Sequence, residues 1–187
     1  MIPAANLFGV SRSTPRGTPG EAISASTVPG HCFAFRRGRG RLTIRLGSPE
    51  VDAPMGFIRV SHISLEHTSV VALPAAALTA PRQFRVLGWD ADPATSSASL
   101  RPYVLVESAE FSVEPHAPTA QVFGVPAPGT TFPPPPVGWV TLDVISNHGG
   151  DHTCLYGLRV YQDLDGGVSK ERGRRRILIL SLLAGRY

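Results

Sequence analysis

The sequence predicts an all-β fold built as a sandwich of short strands. Several short segments alternate apolar and polar residues with a period of two, as half-buried strands do. Nineteen glycines and 18 prolines in 187 residues provide turns at short intervals. No window in the body of the chain shows the apolar repeat of an amphipathic helix. The length fits a single domain.

The first strands are read from their alternation. Arg41–Leu46 places Leu42, Ile44 and Leu46 on one face. The segment Ile58–Val60 starts another apolar face, which Ile63–Leu65 continues out of phase. One extra residue near Ser61–His62 would explain the shift as a β-bulge. Two strands with a bend between them would explain it equally well.

The rest of the chain gives one interrupted helical segment and three more strands. Ser69–Leu78 has room for a turn or two of helix, but Pro74 is expected to interrupt it. Phe84–Leu87 follows a turn signal and reads as a strand. Val140–Ile145 alternates, with Val140, Leu142 and Val144 predicted to point inward. Tyr156–Val160 is expected to close the domain.

The two ends of the chain differ from its body. Residues 1–20 are rich in Ser, Pro and Gly and read as a flexible segment without a signal peptide. Residues 21–163 form the predicted domain, and 164–187 form a basic and apolar tail. Its apolar run, Ile177–Ala184, is too short to span a bilayer and could be an edge strand, an interfacial segment or a truncated anchor.

Basic residues cluster in two places of a chain whose net charge is +4. The clusters comprise Arg36, Arg37, Arg39 and Arg41 near the start, and Lys170, Arg172, Arg174, Arg175 and Arg176 in the tail. Such clusters can contact nucleic acid or anionic lipid. Aromatic residues are not interleaved with these arginines, so no nucleic-acid partner is expected. We interpret the clusters as a solvated loop and a solvated tail.

Catalytic motifs do not stand out. The chain has no nucleophile elbow, phosphate-binding loop or His-Glu-x-x-His pattern, so we do not expect an enzyme. His148, Asp151, His152 and Cys154 carry the atom types that bind zinc, which leaves a zinc site as an alternative. Cys32 and Cys154 are the only cysteines in the chain. They could form a disulfide, remain buried thiols or contribute to a metal site.

Motifs along most of the chain resemble the SUN domain, the luminal part of the LINC complex of the nuclear envelope. Pro29–Phe35 and Asn147–Val160 resemble the family's opening and closing signatures, each around one cysteine. The other motifs are Leu7–Gly9, Leu42–Leu46, Ile63–His67, Thr79–Gly88, and Phe111 with Gln121 and Phe123. They occur in the family's order over roughly residues 21–161.

This resemblance implies a fold and a role. The fold is a galactose-binding-like jelly roll with a Cys32–Cys154 disulfide, which needs an oxidising compartment. The function is binding the C-terminal tail of a KASH-type membrane protein in the perinuclear space, with anchoring at the inner nuclear membrane. Family members carry a membrane span and a coiled coil upstream and form homotrimers. We expect the family's lid hairpin to be missing, because only six residues precede Leu7.

The resemblance also implies site residues. His67, Thr79, His152 and Tyr156 match the pocket that receives the partner's terminal carboxylate. Thr79 stands where the family has serine, and His152 where it has tyrosine. No resident cofactor is expected apart from a monovalent cation such as potassium, held by backbone carbonyls. By position, that cation loop would involve Glu21, Ser24, Ser26, His31 and Tyr156.

Three other functions remain open at this point. A jelly roll can bind carbohydrate or lipid, which exposed aromatic residues at loop tips would favour. A SUN-like luminal protein can also assist membrane-protein folding without a KASH partner. A basic nucleic-acid binder is the least supported, for lack of interleaved aromatics.

Overall fold

The computed structural model describes residues 22–23, 28, 30–46, 57–95, 101–125 and 135–162, and the backbone of 176–177. Within these residues the chain is almost entirely β-structure. The strands are β1 (Phe33–Arg36), β2 (Gly40–Arg45), β3 (Val60–Glu66), β4 (Gln83–Trp89), β5 (Tyr103–Glu110), β6 (Ala120–Gly124), β7 (Trp139–Val144), β8 (His152–Leu155), β9 (Gly157–Gln162) and β10 (Arg176–Ile177). A 3-10 helix, Pro74–Thr79, precedes β4. No helix in the described part is long and apolar enough to cross a bilayer.

Two antiparallel sheets form the predicted sandwich. One has the strand order β2-β7-β4-β5 and the other β10-β9-β3-β6, while β1 and β8 pair as a separate ribbon. Apolar side chains from both sheets fill the space between them, among them Ile44, Ile63, Phe84, Leu142 and Leu158, all nearly inaccessible to water. The all-β sandwich predicted from the alternating segments is therefore confirmed.

The β-bulge predicted near Ser61–His62 is confirmed. The pairing of β3 with β9 changes register between Val60 and His62. An extra residue in one strand moves the following side chains to the opposite parity. This is why Val60 and Ile63 are both buried although they stand three positions apart.

The inward face of β7 was predicted correctly, but the strand is buried on both faces. Val140, Leu142 and Val144 pack in the core, yet Thr141 and Asp143 are also buried. β7 lies between β2 and β4. Long polar side chains of these neighbours cover its outer face, which alternation within one strand could not reveal.

No helix runs through Ser69–Leu78: a turn at 70–72 precedes Pro74, in agreement with the predicted interruption. Pro74 is the first residue of the 3-10 helix rather than a break in it. Proline is tolerated in the first turn of a helix, where its missing N–H would have no intrahelical acceptor. The helix ends at Thr79, whose hydroxyl donates back to the carbonyl of Ala76 within the helix, and this ending lies at one side of the candidate site.

The tail contributes a short strand to the sandwich. The backbone of β10 pairs antiparallel with β9, with Arg176 opposite Gln162 and Ile177 opposite Tyr161. The start of the apolar run Ile177–Ala184 therefore lies in an edge strand, which was one of the three alternatives predicted for this run. The remainder of the tail and residues 1–20 lie outside the described residues, so the domain boundaries stay a prediction.

Candidate functional site

A disulfide joins the two halves of the candidate site. Cys32 and Cys154 are bonded, with their Cα atoms 5.5 Å apart. Directly after Cys32, β1 pairs with β8, and Ala34 lies opposite Cys154. Because the sulfur of Cys154 is bonded to Cys32, it cannot serve as a zinc ligand. No group of three potential metal ligands occurs in the described residues.

Tyr156 lies directly behind this disulfide. Its side chain packs with both cysteines in a small buried cluster, and it is only 3% exposed. The backbone N–H of Gly30 donates a hydrogen bond to the Tyr156 hydroxyl oxygen at 3.4 Å. Gly30 has a φ of +89°, a backbone conformation that glycine adopts at low cost. The loop before Cys32 is therefore tied to Tyr156.

His67 packs against Tyr156 from the end of β3. The two rings are 4.9 Å apart, edge to face, and His67 is 1% exposed. Its Nδ1 donates to the carbonyl oxygen of Thr68 at 3.1 Å, since a carbonyl can only accept. Nε2 of the neutral ring is then an acceptor, and it is buried without a hydrogen-bond partner in the described part of the chain.

Burial controls the protonation of His67. Desolvation disfavours the charged ring and lowers the pKa of His67 to about 4, while the Thr68 carbonyl opposes this and the charge of His148 adds to it. His67 is therefore neutral at physiological pH. A carboxylate placed against its Nε2 would meet a lone pair unless the ring gained a proton.

A tight loop at residues 147–152 forms the other wall. The side-chain amide of Asn147 donates to the carbonyl oxygens of Gly150 at 3.0 Å and His152 at 2.8 Å. Its side-chain oxygen accepts a hydrogen bond from the Gly149 N–H at 3.0 Å. One side chain thus closes the whole loop. The closing of this loop by Asn147 was not predicted, although asparagine and glycine close together in a sequence are a turn signal.

Thr79 lies beside this loop at the end of the 3-10 helix. The N–H of Gly150 donates to the Leu78 carbonyl at 2.8 Å, and the N–H of His148 donates to the Ala80 carbonyl at 3.3 Å. Thr79 is half-buried, and its hydroxyl donates to the Ala76 carbonyl at 2.9 Å. The loop and the helix end are therefore held together on both sides of Thr79.

His148 connects these two parts of the site. Its Nε2 donates to the carbonyl oxygen of Phe111 at 2.9 Å, and the Phe111 ring lies 6.1 Å from that of His67. The only chemical role predicted for His148 was that of an alternative zinc ligand. Its observed contact is structural, and only the fold brings Phe111 to it.

His152 and Thr79 are more accessible than the other two predicted partner residues. His152 starts β8 opposite Arg36, and its side chain is 28% exposed. Its Nδ1 contacts the carboxylate of Asp151, a fully exposed group whose pKa this hydrogen bond lowers. The four predicted partner residues thus fall into two layers, with His67 and Tyr156 buried and Thr79 and His152 nearer the surface.

The cation loop is largely outside the described residues. Glu21, Ser24 and Ser26 belong to the undescribed part, so nothing is stated of their structure. His31 is exposed, and its N–H donates to the Val28 carbonyl at 3.0 Å. Tyr156 lies at the base of this segment through its contact with Gly30. A monovalent cation here stays a prediction.

Comparison with known proteins gives a consistent family. A family model described as Sad1/UNC-like C-terminal matches residues 13–163. The nuclear migration and anchoring protein unc-84 of Caenorhabditis elegans is 34% identical over 139 residues, which cover 74% of this chain and 11% of that protein. The Klaroid protein of Drosophila melanogaster is 28% identical over 158 residues, covering 83% of this chain and 14% of that protein.

A further relative and one solved structure extend this result. The sperm-associated antigen 4 protein of Rattus norvegicus is 30% identical over 147 residues, covering 76% of this chain and 28% of that protein. The chain thus spans between 11% and 28% of the length of these three relatives. An F5/8 type C domain from Bacteroides fragilis shares the fold, with a TM-score of 0.50 and 11% identity over 77% of this chain and 80% of that one. The chain belongs to the Sad1/UNC-like C-terminal family and is a SUN-domain module with a jelly-roll fold.

Proposed function

We propose that this module acts at the nuclear envelope, where it binds the C-terminal tail of a KASH-type membrane protein in the perinuclear space. It would thereby link the nucleoskeleton to the cytoskeleton. The family membership supports this, as does the relative named for nuclear migration and anchoring. An oxidising lumen also suits the Cys32–Cys154 disulfide. In a longer form, we propose anchoring in the inner nuclear membrane and assembly as a homotrimer.

The observation that carries the proposal is the convergence of the predicted partner residues. His67 and Tyr156 are in ring contact behind the disulfide. Thr79 and His152 flank the 147–152 loop, which is hydrogen-bonded to the helix end beside Thr79. Residues from three distant segments, around positions 67, 79 and 152–156, are therefore linked through these contacts. The Tyr156 hydroxyl accepts from Gly30, so its own proton can be donated to a carboxylate.

The layering of these residues suggests how a tail would bind. Thr79 and His152 would meet the carboxylate first, because they are the accessible members. Tyr156 would contribute its hydroxyl only if the segment around Gly30 moved, because that segment currently caps it. A potassium ion held by residues 21–31 would stabilise this segment, and we propose it on the family resemblance alone.

The test is binding of a synthetic C-terminal peptide of a KASH-type protein to the full chain, measured by fluorescence polarisation. We expect the peptide with a free carboxylate to bind and its amidated form to bind at least about tenfold more weakly, because a charge-assisted hydrogen bond is lost. Thr79→Val and Tyr156→Phe should each weaken the free-carboxylate peptide by about tenfold.

The matched control is Tyr103→Phe on β5, which removes an exposed hydroxyl away from the site and should leave binding unchanged. Equal binding of the free and amidated peptides would reject the carboxylate pocket. No binding of either peptide at any pH would reject the proposed function.

A further inference from the structure

Three arginines stand close together on the turn that joins β1 to β2. We call Arg36–Arg39 the arginine hairpin; Arg36, Arg37 and Arg39 are all exposed. Arg37 has a φ of +65°, an uncommon conformation for a residue other than glycine. The turn therefore has a defined backbone geometry.

The arginine hairpin is held against the candidate site. Arg36 pairs with His152 in the β1–β8 ribbon, and Arg37 forms a bridge with His152 as well. The hydroxyl of Thr153 donates to the Arg37 carbonyl at 3.4 Å. A Cβ added to Gly38 would lie 3.2 Å from the side-chain oxygen of Asn147, so the turn sits directly on the 147–152 loop.

No acidic group of the described residues pairs with these three guanidinium groups. Arg85 pairs with Asp143, Arg82 with Glu110 and Arg159 with Glu66. Within the described part of the chain, Arg36, Arg37 and Arg39 make no ion pair. Asp151, which directly precedes β8, is engaged with His152. A patch of unpaired positive charge therefore borders the proposed tail site.

We propose that the arginine hairpin is a second contact for the partner's tail, selecting tails with acidic side chains shortly before their carboxyl terminus. The proposal rests on the proposed function, because it places the carboxylate beside Thr79 and His152. An extended peptide advances about 3.3 Å per residue. With Arg36 directly opposite His152, the hairpin would meet roughly the last six residues of the tail.

The expected contribution is electrostatic. Exposed ion pairs are individually weak, and three of them together change affinity by about tenfold at low salt. They also raise the association rate, since opposite charges steer the encounter. Both effects shrink as salt rises, because the screening length falls from about 10 Å at 0.1 M to about 3 Å at 1 M. The carboxylate contact at the less exposed pocket is screened less.

The experiment compares two peptides that end in the same free carboxylate and the same last residue. One carries two glutamates among its last six residues, and the other carries two glutamines. We expect the full chain to bind the glutamate peptide about tenfold more tightly in 50 mM salt, with the preference lost near 1 M. Arg36→Gln/Arg37→Gln/Arg39→Gln should abolish the preference and leave the glutamine peptide within about twofold.

Two further variants keep the test decisive. Arg45→Gln/Arg59→Gln/Arg101→Gln removes the same charge outside the hairpin and should retain the preference. Arg36→Glu/Arg39→Glu keeps Arg37 and should instead favour a peptide with two lysines. The double glutamate variant therefore tests the proposal even if the triple glutamine variant folds poorly.

The outcomes separate this proposal from the proposed function. Binding of both peptides with equal affinity would overturn the acidic preference while supporting the tail site. Binding of neither would remove both. Hairpin-dependent sedimentation with phosphatidylserine vesicles, without any preference for the glutamate peptide, would overturn it in favour of a lipid surface. Hairpin-dependent binding of an oligonucleotide alone would overturn it likewise.

Discussion

Two regions of the sandwich differ in whether their polar groups have hydrogen-bond or ion-pair partners. On the outer face of the β2-β7-β4 sheet, Asp143 accepts hydrogen bonds from Arg41 at 3.0 Å and Arg85 at 2.9 Å. Beside it, Thr141 contacts the hydroxyl of Thr43 and accepts from Trp89, both at 2.9 Å. At the disulfide end, the described residues offer no hydrogen-bond partner to the Nε2 of His67 and no acidic partner to the arginine hairpin.

This contrast separates stability from binding. A satisfied network needs nothing from outside, whereas an unpaired buried acceptor or a cluster of like charges is unfavourable until something binds it. Trp139 is the exception on the sheet, because its buried Nε1 also lacks a partner among the described groups. It lies at the opposite end of β7 from Asp143. Unsatisfied groups otherwise gather where we propose the tail to bind.

Removing the disulfide should have the largest effect. Cys32→Ala/Cys154→Ala opens a loop of 122 residues, and the entropic estimate for such a loop is a loss of about 4–5 kcal/mol in the free energy of unfolding. Urea denaturation of the oxidised wild type and of the double variant measures this loss of stability. Reducing the wild-type chain should reproduce the loss. A loss below about 1 kcal/mol would mean that packing alone holds the disulfide end together.

Titrating His67 should have the next largest effect. Its pKa is about 4 in the folded chain and about 6.5 when unfolded, so the unfolded chain binds more protons between these values. The free energy of unfolding is therefore at its full value, as far as His67 is concerned, above about pH 6.5. It decreases as the pH falls and is about 3 kcal/mol lower at pH 4. His67→Gln should remove this part of the pH dependence of unfolding.

His116→Gln is the matched control, since it makes the same substitution at an exposed histidine. Denaturation curves at pH 7 and pH 4.5 compare the three proteins. If His67→Gln and the wild type lose equal stability over this interval, the neutral buried ring is not the cause.

Breaking the sheet network should have the smallest effect. Burial acts to raise the pKa of Asp143, but hydrogen bonds from Arg41 and Arg85 outweigh it and the net pKa is lowered. Asp143→Asn should cost about 1–2 kcal/mol in unfolding free energy, since both arginines are partly exposed. Tail binding should be unchanged.

Glu110→Gln, which breaks the exposed pair with Arg82, should cost less than about 0.5 kcal/mol. Equal losses in the two variants would contradict the network.

Local patterns were sufficient for part of the fold. The alternation of Leu42 and Ile44 and the phase shift before Ile63 depend only on neighbouring residues, and both predictions are confirmed. Pro74 does interrupt the segment Ser69–Leu78, but as the first residue of a 3-10 helix, because proline is compatible with the first turn of a helix and incompatible with its interior. The sequence does not say where a helix starts when no capping residue marks it; Leu73 makes no side-chain cap.

The candidate site was predictable residue by residue only through the family resemblance. His67, Thr79, His152 and Tyr156 follow no spacing rule, since they come from the end of β3, the end of the 3-10 helix and the region of β8. The roles of Asn147 and Phe111 were missed, because one closes a loop and the other offers a backbone carbonyl to His148. Every residue has a backbone carbonyl, so the identity of a residue does not show that its carbonyl will accept a hydrogen bond.

By itself, the sequence determined the all-β class, the phase shift within Ile58–Leu65 and the places of greatest positive charge, because each depends on short-range order in the chain. The structure decided that the shift is a bulge in one strand and not a bend between two strands. The tertiary structure alone decided that His67 is buried and neutral, and that β7 is covered on both faces. It also decided that Arg36–Arg39 lies against the loop at 147–152. Burial and electrostatic pairing depend on which distant segments pack together, and only the folded chain brings those segments into contact.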